Sequence, residues 1–147
     1  MIAFYTEEDV RLPRIPRRIL KRWLTEVARS HGKHVGDLCY QFCSDERILQ
    51  VNREFLDHDY YTDIITFDET VGDCISGDML ISLDTVASNA QQLGVALLDE
   101  LYRVIVHGLL HLVGLGDKTE VEEQRMRAAE DKALHLLRQM IGGHSQV

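Results

Sequence analysis

His107 and His111 stand four residues apart in a run, HGLLHLVGLGD, that ends at Asp117. On a helix this spacing puts both imidazoles on one face, one turn apart. There they can grip a single metal ion. Gly114 and Gly116 follow, and two glycines let the chain turn sharply enough to bring Asp117 back as a third ligand. Three protein ligands leave a fourth position open for water, so the expected site is catalytic in type rather than structural. Imidazole and carboxylate ligands point first to one zinc ion, and nickel, iron or copper could occupy the same groups.

Other residues with chemical potential are weaker candidates. Gly108 stands where H-E-x-x-H metalloproteases carry their glutamate base, so peptidase chemistry of that kind lacks a base at its usual place. The acids Glu120, Glu122 and Glu123 read as first-turn residues that complement a helix dipole. His58 lies in a polar loop, 57–61, ahead of a strand, and is a secondary catalytic candidate that could face the site. His31, His34, His135 and His144 fall in turn, late-helix or tail contexts and read as solvent-facing. Cys39 and Cys43 are four apart on an expected strand, about 13 Å, too far for one ion.

The chain has 147 residues with a formal charge of −8, which argues against indiscriminate coating of nucleic acid. A local exception is RLPRIPRRILKR, residues 11–22, with no acid in it. Arg14, Arg17, Arg18, Lys21 and Arg22, with Arg11, form either a solvated helix face or a patch that contacts RNA phosphates. Three cysteines without repeated spacing do not make a disulfide framework, so a reducing cytoplasm is the expected setting. No stretch approaches the ~20 apolar residues of a membrane span, and no secretory signal is legible at the N-terminus.

The elements that must position these residues follow from periodicity. Ile2 to Tyr5 reads as a strand, and Pro13 and Pro16 precede a helix with an apolar stripe through Ile19, Leu20, Trp23, Leu24 and Val27. Leu38 to Cys43 alternates as a strand; Ser44 or Asp45 caps a second helix through Ile48, Val51 and Phe55. Asp63 to Phe67 and Ser76 to Leu83 read as a hairpin. Asp84 is the expected cap of a helix carrying Val86, Ala90 and Leu93 and closed by Gly94. Leu97 to Leu112 is apolar nearly all round, which predicts a central helix. Thr119 and Glu122 form a capping box that opens a last helix to about Ile141. The pattern predicts one α+β domain over 1–147, a mixed four-stranded sheet packed with about five helices.

Three stretches together resemble the YbeY-type endoribonucleases, a bacterial family associated with rRNA maturation. His107 to Asp117 matches most of that family's H-G-x-L-H-L-x-G-[YH]-D-H. Asn52, Phe55, Asp59, Thr62, Asp63, Thr66 and Phe67 match N-x-x-[YF]-R-x-x-D-x-x-T-[DN]-V-L-S-F, and Gly77 to Ser82 matches G-D-[IV]-x-I-S. Two departures matter. The family's third metal-binding histidine falls on Asp117, a ligand of similar bond length that adds negative charge and weakens activation of bound water. The family's arginine after the aromatic falls on Leu56, so its phosphate contact is either absent or supplied by another group, such as His58 or a residue of the basic stretch. The resemblance implies a metal-dependent, single-strand-directed endoribonuclease that matures 16S rRNA and inspects small ribosomal subunits, with rRNA and that subunit as partners and no role for DNA or membrane. Either water or the ribose 2′-hydroxyl could deliver the attack. Two other classes fit the residues: a metallohydrolase of peptide or small-molecule bonds, and a non-catalytic ribosome assembly factor.

Overall fold

The computed structural model describes residues 1–55 and 62–145. The expected loop at 57–61, with His58, and the departure at Leu56 lie outside the described residues, as does the His144 side chain. The elements run β1 (Ile2–Thr6), α1 (Arg17–Ser30), β2 (His34–Cys43), α2 (Asp45–Phe55), β3 (Ile64–Asp68), β4 (Cys74–Ser82), α3 (Leu83–Leu93), α4 (Leu97–Leu112) and α5 (Glu120–Ser145). The strands form one sheet in the order β1-β2-β4-β3. β1 and β4 lie parallel to β2, and β3 closes antiparallel on β4 as the expected hairpin. The α+β architecture with a mixed sheet and five helices is therefore as the periodicity predicts.

Alternation along the central strands separates two cores. Leu38, Tyr40, Phe42, Met79 and Ile81 pack with α1, α4 and α5 on one face. Cys43, Leu80 and Ile65 pack with Ile48 and Val51 of α2 in a smaller cluster. Helix α4 is the hub, as its all-round apolarity requires: Leu101, Ile105, Val106, Leu109 and Leu110 are fully buried. The Tyr40 hydroxyl, inside the sheet face, donates to the Ile105 carbonyl at 2.9 Å and fixes the helix against β2. Trp23 Nε1 donates to the Ala133 carbonyl at 2.7 Å and pins α1 to α5. Both are buried polar groups satisfied by backbone acceptors, so neither incurs the cost of an unpaired donor.

Some local expectations need correction. Ser82, not Asp84, caps α3: its hydroxyl accepts from the Thr85 amide at 3.3 Å. Asp84 instead caps the neighbouring helix, accepting from the Asp45 amide at 2.9 Å. Asp45 returns the contact by accepting from the Ser82 hydroxyl at 2.6 Å, so the starts of α2 and α3 are tied together across the fold. A sequence window cannot see this, because the partners are 37 residues apart. Phe55 and Leu93, expected on buried stripes, are 67% and 57% exposed at the last turns of their helices.

Candidate metal centre

Helix α4 carries Arg103, His107 and His111 at successive four-residue intervals, so all three project from one face. Gly108, about 100° round the helix from His107, is the position that meets the sheet. A Cβ there would stand 2.9 Å from Ile64 Cδ1 and 3.1 Å from Met79 Cγ. Glycine is thus the residue that lets α4 lie close on β3 and β4. A glutamate base at that position would be driven into the sheet, which removes the H-E-x-x-H type of chemistry on packing grounds as well as on composition.

The helix ends where the sequence predicts. Gly114 takes φ +111°, a conformation that side-chain-bearing residues rarely adopt. The chain then doubles back so that the Leu115 carbonyl accepts from His111 Nδ1 at 2.9 Å. Two residues on, Asp117 Oδ2 sits 3.4 Å from His107 Nε2 and 3.3 Å from His111 Nε2. The expected capping box closes the turn: the Glu122 amide donates to Thr119 Oγ1 at 3.1 Å, and the Thr119 amide donates to Glu122 Oε1 at 3.2 Å. Helix α5 then runs back past the site. It brings Glu130, 5% exposed, against His107, with Nδ1 to Oε2 at 2.7 Å.

These contacts settle which nitrogen each ring offers. A backbone carbonyl can only accept, so the neutral His111 ring carries its proton on Nδ1 and presents a bare Nε2. The Glu130 carboxylate imposes the same tautomer on His107. The rings stand edge to face, 89° apart with centroids at 4.5 Å, and both Nε2 atoms lie beside Asp117 Oδ2. The three ligand atoms lie within 4.8 Å of one another. A tetrahedron with bonds of ~2.0–2.1 Å has edges of roughly 3.3–3.4 Å. The carboxylate-to-imidazole distances match those edges, so the donor set fits one zinc-sized cation.

Glu130 and Arg103 are the candidate site residues that sequence reasoning missed. Arg103 Nη1 donates to Glu130 Oε1 at 2.8 Å and Nη2 to Asp131 Oδ1 at 2.7 Å. The chain Asp131–Arg103–Glu130–His107 thus holds the first ligand from behind. A signal was available: Met126, Glu130, Ala133, Leu134 and Leu137 form the buried stripe of α5, and Glu130 is its one charged member. A buried carboxylate on an apolar stripe asks for a partner. Nothing in the sequence names that partner.

Burial pushes the His107 imidazole down, but the Glu130 hydrogen bond and the charges of Glu130, Asp117 and Asp63 outweigh it and move it up from 6.5. Burial likewise works against the Glu130 carboxylate, yet His107 and Arg103 hold it below its ordinary 4.5. The raised imidazole stabilises the metal-free fold at pH below 6.5, and that contribution fades as pH climbs through the folded value. The depressed carboxyl stabilises it above 4.5, and that contribution fades as pH falls through the folded value. In metal-free protein the pair therefore contributes most between pH 4.5 and 6.5. The Tm difference between wild type and Glu130→Gln, followed by thermal melts across pH, is expected to peak in that window. Added zinc requires neutral imidazole, so the Tm gain from zinc is expected to grow as pH rises.

Two open hollows meet at His107 and Asp117. One, of about 550 Å³, lies along α5 and includes Glu120, Glu123, Arg127 and Glu130. Glu120 and Glu123 are thus first-turn acids, as expected, that also face the site. The other, of about 450 Å³, is walled by the β3 row Thr62, Ile64, Thr66 and Asp68, with Asp63. Burial pushes the Asp63 carboxyl up, only partly offset by His107, which leaves a protonatable group beside the ligands. The basic stretch is elsewhere. Arg14, Arg18, Lys21 and Arg22 are exposed, and Arg17 is partly engaged, donating to the Phe4 carbonyl at 3.1 Å. Lys21 and Arg22 border Leu136 and Met140, the far end of α5. Met140 is ten residues beyond Glu130, about 15 Å at the helical rise.

Among the described residues, no helix is long and apolar enough to cross a membrane. The solution structure of TM1509 from Thermotoga maritima shares the fold, with a TM-score of 0.64 at 22% identity over 95% of this chain and 93% of that one. A protein of Porphyromonas gingivalis strain W83, named Endoribonuclease YbeY, is 60% identical over 96% of this chain and 93% of its own length. One of Bacteroides thetaiotaomicron with the same name is 54% identical over 91% and 98%. The family model described as Endoribonuclease YbeY matches residues 4–138, a span that takes in the ligand cluster, the hairpin beside it and Glu130 behind it. By sequence over nearly its whole length, and in keeping with its fold, the chain belongs to the endoribonuclease YbeY family.

Proposed function

We propose that this protein is a metal-dependent, single-strand-specific endoribonuclease of the cytoplasm that acts in 16S rRNA maturation and small-subunit quality control. The observation that carries the reading is the convergence of His107 Nε2, His111 Nε2 and Asp117 Oδ2, with both imidazoles locked through Nδ1. These three residues would hold one zinc ion, or another transition metal of similar preference. When bound, the ion supplies Lewis-acid polarisation of a phosphoryl oxygen and lowers the pKa of a water.

The chain's own residues do the rest. Glu130 and the Leu115 carbonyl keep the ring planes fixed, so no reorganisation is needed as charge develops. Asp117 offsets part of the cation's charge, which tempers its acidity. The two hollows give an extended strand room on either side of the ligands. The exposed cations at 14–22 offer phosphate contacts farther along the strand. Purified protein is expected to carry about one equivalent of transition metal. Stripping it with a chelator should abolish cleavage of single-stranded RNA, and zinc should restore it. Undiminished cleavage after complete metal removal would overturn the reading.

A further inference from the structure

The two hollows beside the ligands differ in one respect that matters for a polyanion. Six acids line them: Asp63, Asp68, Asp117, Glu120, Glu123 and Glu130. Among the described residues the lining holds a single permanent cation, Arg127. It projects from α5 one turn before Glu130, a spacing that puts side chains i and i+3 side by side. Arg103 is nearby but spent, since its guanidinium donates to both Glu130 and Asp131. Arg127 is exposed, and its charge also acts on the buried Glu100 of α4, with no salt bridge to any acid among the described residues. Apart from the two imidazoles and the apolar Ile64 and Leu112, the hollow on the β3 side offers hydroxyls and carboxylates, with no permanent cation among the described residues. A phosphate placed there would face Asp63 and Asp68 without a counter-charge.

We infer that Arg127 is the phosphate clamp of the site, and that the RNA phosphate next to the scissile one lies in the α5-side hollow. The β3-side hollow then takes the uncharged sugar and base on the other flank, against Thr62 and Thr66. A planar guanidinium can donate to two phosphate oxygens at once, which fixes orientation as well as supplying charge. The acidic surroundings set the register: an anion gains contact only where Arg127 and the metal side meet. None of the cations at 14–22 lines either hollow, and Lys21 and Arg22 border the far end of α5. The inference rests on the ribonuclease reading above and adds the residue and the strand register to it.

The test compares wild type, Arg127→Gln, Arg127→Lys and a control, Arg125→Gln, at an exposed position outside both hollows. Binding of a short single-stranded RNA is measured against salt in metal-free and zinc-loaded protein, alongside metal content and kcat/KM. Arg127→Gln is expected to keep its metal and its melting temperature while weakening RNA binding about 10-fold, with a salt slope shallower by about 0.7–1. Arg127→Lys should recover part of the affinity, since it restores charge but not the fork. Arg125→Gln should match wild type. If wild type binds and cleaves RNA while Arg127→Gln equals it in affinity and slope, the clamp is overturned and the ribonuclease reading stands. If wild type neither binds nor cleaves RNA, the ribonuclease reading fails and the clamp with it.

Discussion

His111→Ala is expected to empty the site and silence it, with metal content falling from about one equivalent to under a tenth and RNA cleavage dropping at least about 10³-fold. The magnitude follows from what is lost. Removing a single oxyanion donor already costs about 10²–10³ in rate, and a whole Lewis acid is worth more. Two ligands remain, His107 and Asp117, which is one fewer than catalytic zinc sites use. The fold should survive. The His111 side chain is 29% exposed, and alanine is the best helix former. The lost Nδ1 contact to Leu115 costs only about 1 kcal/mol. Elemental analysis, a cleavage assay and a melting curve on one preparation separate the two effects. A variant that melts like wild type, holds no metal and still cleaves RNA would detach the chemistry from the ion.

Glu130→Gln is expected to weaken metal binding 10–100-fold without touching a ligand. Partners behind a ligating histidine are typically worth that much. The glutamine keeps the shape and can still accept from His107 Nδ1, so the loss isolates the charge. That charge makes the imidazole a better donor and draws in Arg103, which would otherwise face only Asp131. Glu130→Ala should be worse, because it also leaves the His107 donor unpaired in a half-buried place. Competition against a chromogenic chelator reads the affinity directly. Equal affinities for wild type and Glu130→Gln would reduce Glu130 to a packing residue.

Much of this was legible before any coordinates. The spacing of His107 and His111, the glycine at 114 and the acid at 117 are local features, and helical geometry alone turns them into a converging set. The same holds for the capping box at Thr119 and Glu122, which formed as read. Helix α4 declared its central place through apolarity on every side, and its bounds, Leu97–Leu112, are those the pattern predicts.

What eluded the sequence is what depends on distant segments meeting. The cap of α3 was misplaced because Asp84 serves α2 instead. Glu130 is 23 residues from His107, and its role exists only because α5 folds back along α4. Whether the basic stretch reaches the metal centre is likewise decided by how α1 lies on α5, and its Lys21 and Arg22 border the far end.

The sequence by itself determined the candidate ligands, the turn that gathers them and the helix that carries them. Each of these is set by backbone periodicity within about one or two turns. Only the tertiary structure decided the tautomers, the charge behind His107, the face that Gly108 gives to the sheet and the pairing of two unlike hollows at the ligands. Those properties belong to pairs of elements in contact, and contact between distant segments is set by burial of the shared core rather than by any local pattern.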